Sequence, residues 1–503
     1  MMMGATATAN VDAALAARLP RANAPAAARE LDLLELLATA YLILPLLVFL
    51  LGWLRWPYAL TLSLGLLPAL YRVWQARRRR TGWLSRRELL AATGVTLVWV
   101  SLSGLMPGFF LNLDWLTRMS VLRDLVAGAW PVAYSLPDGE LMLRCPLGYY
   151  MVPALVGKLS SLHGARIALW LWTAVGTALF LFLMLGANAA RKPGAWRPAL
   201  LIAVFFSGMD ILGWLIASPL PLEWGTHIEW WAVMNGSKIQ YSAHTTQLFW
   251  VPNHGLPGWL LALVAWRHRQ HGLSVPAAAL LLLGTAFWAP LVALGVAPLL
   301  FWCVWRGLGW QQLARHSLRL PVLALLPAGL LVVRYLTMGV AQADTSGAAP
   351  APVHAILLFC MLEWGLLAWA VLWRGERSPL LLLAVLELLL LPFLHFGPAN
   401  DLVMRASIPA LAILMMATIE AWQTALPPLR RAAIAALLAL GSATPLLEFQ
   451  RAFLSGPRYV HEQANFIDVS GSGVWHYLSP VTRPDIKAMF KPAQAAPGAA
   501  RQP

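Results

Sequence analysis

The residues able to do chemistry in this chain lie in three polar stretches set between very apolar ones. In the first, NLDWLTRMSVLRDL, Asp114 stands where an apolar run ends. A carboxylate at such an edge could take a proton from an incoming hydroxyl, provided its surroundings keep it ionised and within reach. The same position suits a helix start, where Asp satisfies free amides and pairs with Arg118 four residues on. The second stretch, LEWGTHIEWWAVMNGSKIQYSAHTTQLFWVPNHG, gathers Glu223, His227, Glu229, Lys238 and His244, then Asn253 and His254. Histidine and carboxylate could hold a divalent metal, although these spacings match no ligand pattern. The third, HFGPANDLVMRASIPAL, puts Asn400 and Asp401 in a polar turn and Arg405 within about one turn of the next apolar run. The planar fork of arginine fits a lipid phosphate at headgroup depth. Snorkelling to headgroups, or pairing with Asp401 at i, i+4, would also account for it.

The elements that position these groups are membrane helices. Of 503 residues, 59% are hydrophobic and 12% charged, with 26 Trp, more apolar surface than a water-soluble fold can hide. Apolar runs close to the ~20 residues that cross a bilayer predict about thirteen spans. They cover 33–54, 57–75, 88–107, 166–187, 198–216, 246–266, 275–289, 291–306, 320–338, 354–373, 379–396, 402–420 and 432–447. The expected architecture is an all-α polytopic bundle over 33–447, with outer loops at 108–145 and 217–245. Residues 1–32 are expected to be a cytoplasmic tail rather than a signal peptide, and 448–503 an outer-face tail whose last dozen residues are disordered.

Sidedness follows from charge. The stretch 146–163 carries Pro146, Pro153, two Gly and Lys158. Read as a re-entrant or partial helix, it leaves the short basic loops around Arg77–Arg80, Arg86–Arg87, Arg191–Arg197, Arg267–Arg269, Arg306–Arg319, Arg374–Arg377 and Arg430–Arg431 on one side, which the positive-inside rule makes cytoplasmic. The opposite loops hold only Arg55, Arg118, Arg123, Arg144 and Lys238. The amino terminus is then cytoplasmic and the three polar stretches face outward. Topology and anionic lipid headgroups account for the net charge of +15, so no nucleic-acid partner is expected. Cys145, Cys303 and Cys360 are too scattered for a disulfide framework or a zinc site. The Ala, Leu, Arg and Trp content looks like a bacterial chain, hence an inner-membrane one.

From Asp114 to Trp130, residues Trp115, Met119, Leu122, Val126 and Ala129 recur at helical spacing, with Asp114, Thr117, Arg118, Ser120, Arg123 and Asp124 on the other side. This predicts an amphipathic helix whose apolar stripe meets lipid or the bundle. Asp210, Glu363 and Glu387 lie inside apolar runs. Such carboxylates mark ion paths or bond neighbouring helices, and Asp210 falls in the half of its span nearer the outer face.

An acidic residue opening an amphipathic helix in the first large outer loop, followed by a Pro-Leu-Gly-aromatic segment, resembles the GT-C superfamily of polyprenyl-phosphate-dependent glycosyltransferases. The residues carrying the likeness are NLDWLTRMSVLRDL and CPLGYYMVPALVGK, supported by the Arg405 segment. The resemblance implies inverting transfer of a sugar from a polyprenyl-phosphate donor to a glycan, lipid or protein acceptor. It places the catalytic base on Asp114 and the donor phosphate on Arg405, with Arg118 and Lys158 as further candidates. Asp210, Tyr150, His227, Glu229, His244, Asn253, His254, Asn400 and Asp401 would line the substrate cavity. No cofactor is required; some relatives use a divalent metal and others none. Cys145 stands where relatives often have His-Pro-Pro or Tyr-Pro. Glu229, Trp230 and Trp231 continue as AVMNG instead of forming a WWDYG motif, which argues against a protein N-glycosylating enzyme. A transporter or flippase using the buried carboxylates is the alternative.

Overall fold

Helix starts are written into the sequence as Pro at the first or second helical position, or as reciprocal caps. Asp32 and Ser85 each bond the amide three residues on, and Glu35 and Glu88 bond back. The computed structural model describes residues 30–77, 84–136, 139–187, 194–218, 221–223, 225–234, 236–338, 351–373, 378–397, 399–424, 426–456, 464–471, 477–480 and 484–495. Its main helices are α1 (Leu33–Trp53), α2 (Trp56–Gln75), α3 (Arg86–Val100), α4 (Asp114–Ala127), α5 (Met151–Leu159), α6 (Leu162–Ala187), α7 (Trp196–Phe205) and α8 (Asp210–Ala217). There follow α9 (His244–Trp250), α10 (Pro252–His268), α11 (Val275–Trp288), α12 (Pro290–Ser317), α13 (Leu326–Thr337), α14 (Val353–Cys360), α15 (Leu366–Leu372), α16 (Pro379–Leu390), α17 (Asp401–Gln423), α18 (Pro428–Gly441) and α19 (Ala443–Leu454).

Each of the thirteen apolar segments is occupied by helix. Among the described residues, nine helical stretches are long and apolar enough to cross a bilayer, so the chain is a multi-pass helical membrane protein. The stretch 146–163 holds only the nine-residue α5. At 1.5 Å per residue that is about 13 Å, too short to span. Close approach in the bundle depends on small residues. A Cβ on Gly295 would stand 2.0 Å from the Ala406 carbonyl oxygen, where α12 crosses α17, and one on Gly148 would stand 2.4 Å from Trp288.

The expectation of an all-helical chain omits a small sheet. Strands β1 (Val132–Leu136), β2 (Gly139–Leu143), β3 (Leu478–Pro480) and β4 (Gln494–Ala495) pair in the order β3-β2-β1-β4, with β1/β2 and β2/β3 antiparallel and β1/β4 parallel. Two of its strands are very short and pair with residues more than 300 positions away, while β1 and β2 pair locally inside a loop where no alternating pattern was recognised. Gln494 and Ala495, expected among disordered residues, pair with β1; 496–503 lie outside the described residues, as do 1–29 of the amino-terminal tail. The bundle also runs past 447, since α19 continues to Leu454.

The carboxyl-terminal segment straps α4. Asp124, expected on a solvated face, is fully buried: it accepts hydrogen bonds from Arg123 (2.8 Å), the Tyr134 hydroxyl on β1 (2.7 Å) and the Phe466 amide (2.8 Å). Farther along, the Arg55 Nε donates to the Phe490 carbonyl and the Lys491 Nζ to those of Leu51 and Gly52, tying the segment to the α1–α2 turn. Replacing Asp124 by Ala leaves the Tyr134 hydroxyl and the Phe466 amide without this acceptor and removes the carboxylate beside Arg123. It should destabilise the protein by about 3 kcal/mol or more, as removal of one member of a buried charge network does. Thermal unfolding in detergent checks this; an unchanged midpoint would show that Asp124 is not the pin.

Candidate active site

The site begins at a break between two helices. Val251 takes up φ −136°, ψ 49°, and Pro252 opens α10 without an N–H, so the Phe249 carbonyl turns out of the helix ladder. It accepts two side-chain hydrogen bonds instead, from Asn112 Nδ2 and from Trp115 Nε1, both 2.8 Å. These fix the first turn of α4 against the start of α10. The apolar stripe of α4 therefore faces protein rather than lipid, with Trp115, Met119 and Leu122 buried.

Asp114 is the first residue of α4 and caps none of its amides, contrary to one expectation from its position. Its side chain is 47% exposed, and one oxygen lies 3.2 Å from Arg118 Nη2. Arg118 is only 12% exposed, with its guanidinium 5.5 Å from the Trp115 ring. Burial opposes its charge, but Tyr150, Asp114 and Tyr477 together outweigh that and raise its pKa. Arg405, on the first turns of α17, pairs with Asp401 at 2.7 Å. Both i, i+4 pairs foreseen from the sequence are thus present.

Arg118 and Arg405 share two neighbours. His254 lies in the fields of both Arg405 and Arg118, while Tyr477 lies in those of Arg118, Arg405 and Asp114. Burial pushes the Tyr477 phenol above its usual range, Cys145 adds to the rise, and the two arginines oppose it. Tyr150 is buried beside Arg118 and Tyr477, and Asn253 Nδ2 lies 3.2 Å from His254 Nε2. Four polar atoms of this group, Arg118 Nη1, Arg405 Nε, Asn253 Oδ1 and His254 Nδ1, are buried without a protein partner among the described residues. Buried polar atoms are normally bonded, so such a concentration is what a polar ligand site provides.

Asp210, His227 and Glu229 form a second, neighbouring network. Asp210 Oδ2 accepts from Ser207 (2.9 Å) and Thr444 (2.6 Å), and its carboxyl meets that of Glu363, a contact that bonds only if one of them carries a proton. Glu229 accepts from Gln240 (3.0 Å) and the Ala243 amide (2.8 Å). His227 stands 4.0 Å from Glu229 and 3.2 Å from Glu448, which also takes Trp250 Nε1 (3.0 Å) and Arg451 (2.9 Å). Glu448 and Asn112 border one small cavity, which brings this network next to the α4 start.

Three expected site residues are placed elsewhere. Lys158 docks on the Val126 and Gly128 carbonyls at the far end of α4, about 20 Å along the helix from Asp114, because those terminal carbonyls lack helical donors. Asn400 takes φ +53° and closes its turn by bonding the Phe396 amide and the Leu394 carbonyl. His244 is sealed among Phe180, Phe206 and Trp259, with Nδ1 3.0 Å from the Ala203 carbonyl. Sequence reasoning missed Asn112, Glu448 and Arg451; the last two carried a faint signal as an i, i+3 charge pair at the end of the last apolar run. Tyr477 belongs to a segment that the sequence already suggested as a cap. Among the described residues no group of three or more His, Cys, Asp or Glu is placed to hold a metal ion.

No protein family, curated protein or solved structure matches this chain. The function must be argued from the site itself.

Burial raises the Glu229 pKa from 4.5 to about 7, against the pull of His227. Its folded pKa lies above the unfolded one, so its stabilising contribution is complete below pH 4.5 and is lost as pH rises through about 7. Thermal unfolding between those limits should show a midpoint that falls with pH in the wild type and falls less in Glu229→Gln. Identical slopes would remove Glu229 from the titration.

Proposed function

We propose that the chain is an inverting glycosyltransferase of GT-C type that moves a sugar from a polyprenyl-phosphate donor to a glycan, lipid or protein acceptor. It works at the outer surface of a bacterial inner membrane, through a bundle of thirteen spans with a cytoplasmic amino terminus. The observation carrying this reading is that a half-exposed carboxylate, Asp114, pairs with the mostly covered Arg118, and that Arg118 and Arg405, from distant segments, share His254 and Tyr477 as neighbours.

In this reading Arg405 and Arg118 hold the donor phosphate, and their charge stabilises the phosphate as it leaves with the bonding electrons. Asp114 takes the proton of the acceptor hydroxyl while its oxygen forms the new bond to the anomeric carbon from the opposite side. Tyr150, Asn253 and His254 supply polar contacts to the sugar or phosphate. The phosphorylated lipid already carries the activation, so no nucleotide is needed. A transporter of lipid-linked or small polar substrates is the second reading, favoured by the contact of Asp210 with Glu363 inside the bundle.

Purified protein with a radiolabelled polyprenyl-phosphate sugar and a panel of acceptors tests the proposal. Asp114→Asn should lower turnover by about 10²–10⁴-fold, the usual worth of a general base, with little change in donor binding. Arg405→Gln should weaken donor binding by about tenfold, the loss of one charge-assisted contact. Turnover by Asp114→Asn equal to wild type would remove that residue from catalysis. Flux through proteoliposomes with the donor bond intact would favour transport.

A further inference from the structure

At the opposite end of the bundle from Asp114, two arginines and a helix start share a cavity. The direction is set by α10 and α17, which pack together and begin at His254 and Arg405. Some 25 Å farther along, by the helical rise, they end at Arg267, His268 and the Arg269–Glu420 pair. On that arginine-rich face lies a cavity of about 110 Å³ lined by Arg72, Ser274, Val275, His316 and Arg319, with Glu30 at its edge.

Its chemistry selects an anion. Arg72 and Arg319 form no ion pair with the described residues, whereas Arg267, Arg269 and Arg451 all do. Helix α11 starts at the cavity wall, and Ser274 in front of it makes no cap bond; its Oγ is buried without a partner among the described residues. Pro276 has no N–H and the Ala278 amide bonds the Ser274 carbonyl, so the Val275 and Ala277 amides, a hydroxyl and two guanidinium forks are the donor set that a phosphate diester accepts. Glu30 is the one carboxylate in the described lining, so positive charge is in excess there.

The neighbouring helix face says which phosphate. Leu64, Leu67, Tyr71 and Trp74 of α2 are more than half exposed and, with Pro68, form an open apolar face on that one helix. Pro68 and Arg72 are i, i+4 neighbours, so this face ends beside the Arg72 guanidinium. We propose that this is a binding site for one anionic phospholipid, its phosphate between Arg72 and Arg319 at the α11 start and an acyl chain along α2. Basic pockets between spans on the cytoplasmic face bind such headgroups. The inference does not depend on the glycosyltransferase reading.

Native mass spectrometry and thermal unfolding of the full chain in detergent test it, with phosphatidylglycerol, phosphatidylcholine of the same acyl chains, and inorganic phosphate as probes. The wild type should hold phosphatidylglycerol about tenfold or more tighter than phosphatidylcholine, a preference that two headgroup-depth charges can supply. The pair Arg72→Gln/Arg319→Gln should abolish that preference, and the pair Arg86→Gln/Arg315→Gln, on the same face outside the cavity, should keep it. Equal loss in both pairs would mean general surface charge, and stabilisation by inorganic phosphate equal to that by the lipid would mean a free-anion site; either overturns the proposal. Should the first pair fail to fold, absence of a headgroup preference in the wild type alone would refute it.

Discussion

Proline at position 252 is the constraint on which the candidate site rests. Without an N–H it cannot bond the Leu248 carbonyl, and the turn at Val251 frees the carbonyl of Phe249 as well. A carbonyl left unbonded at membrane depth would be costly, so a donor must be brought to it. Asn112 and Trp115 bring two. Their common acceptor fixes α4 in position and direction, which decides where Asp114 and Arg118 lie relative to Asn253 and His254 on the first turn of α10. A local defect in one span thus sets the geometry of a loop more than a hundred residues away.

The two ends of α10 and α17 solve the problem of charge near lipid in different ways. At one end Arg267 bonds Asp32 and approaches Glu35, His268 stands 3.3 Å from Glu35, and Arg269 takes both oxygens of Glu420. There charges answer charges, and the result is a clamp between the start of α1 and the ends of two central helices. At the other end each arginine has one carboxylate, and polar atoms of Arg118, Arg405, Asn253 and His254 stay buried without a partner among the described residues. Glu35, Arg267 and His268 leave such atoms at the first end as well, and what sets the second apart is exposure: Asp114 is nearly half open, so a ligand can reach its group.

Much of this was legible in the sequence, and the reason lies in periodicity. Spans, the amphipathic helix from Asp114 and the Asp114–Arg118 and Asp401–Arg405 pairs all depend on neighbours within four residues, where spacing determines contact. The arginine pattern further placed Asp114, the 217–245 loop and Arg405 on one side, and the structure brings Asp114 and Arg405 to the same neighbour, Tyr477. What escaped notice depends on long-range partners. Asp124 looks like a solvated residue until Tyr134 and Phe466 arrive, and Lys158 looks like a free cation until the carbonyls at the end of α4 claim it.

Burial grades the site in an order that bears on the proposed reaction. Asp114 is nearly half exposed, Arg405 less so, and Arg118 mostly covered, with Tyr150 and His254 behind it. A donor phosphate gains most where arginine charge is least screened by water, on the covered side. The base must meet an acceptor arriving from outside, on the open side. An in-line displacement needs those two partners on opposite sides of the anomeric carbon. In the proposed reaction this gradient would set Asp114 toward the acceptor and Arg118 toward the phosphate.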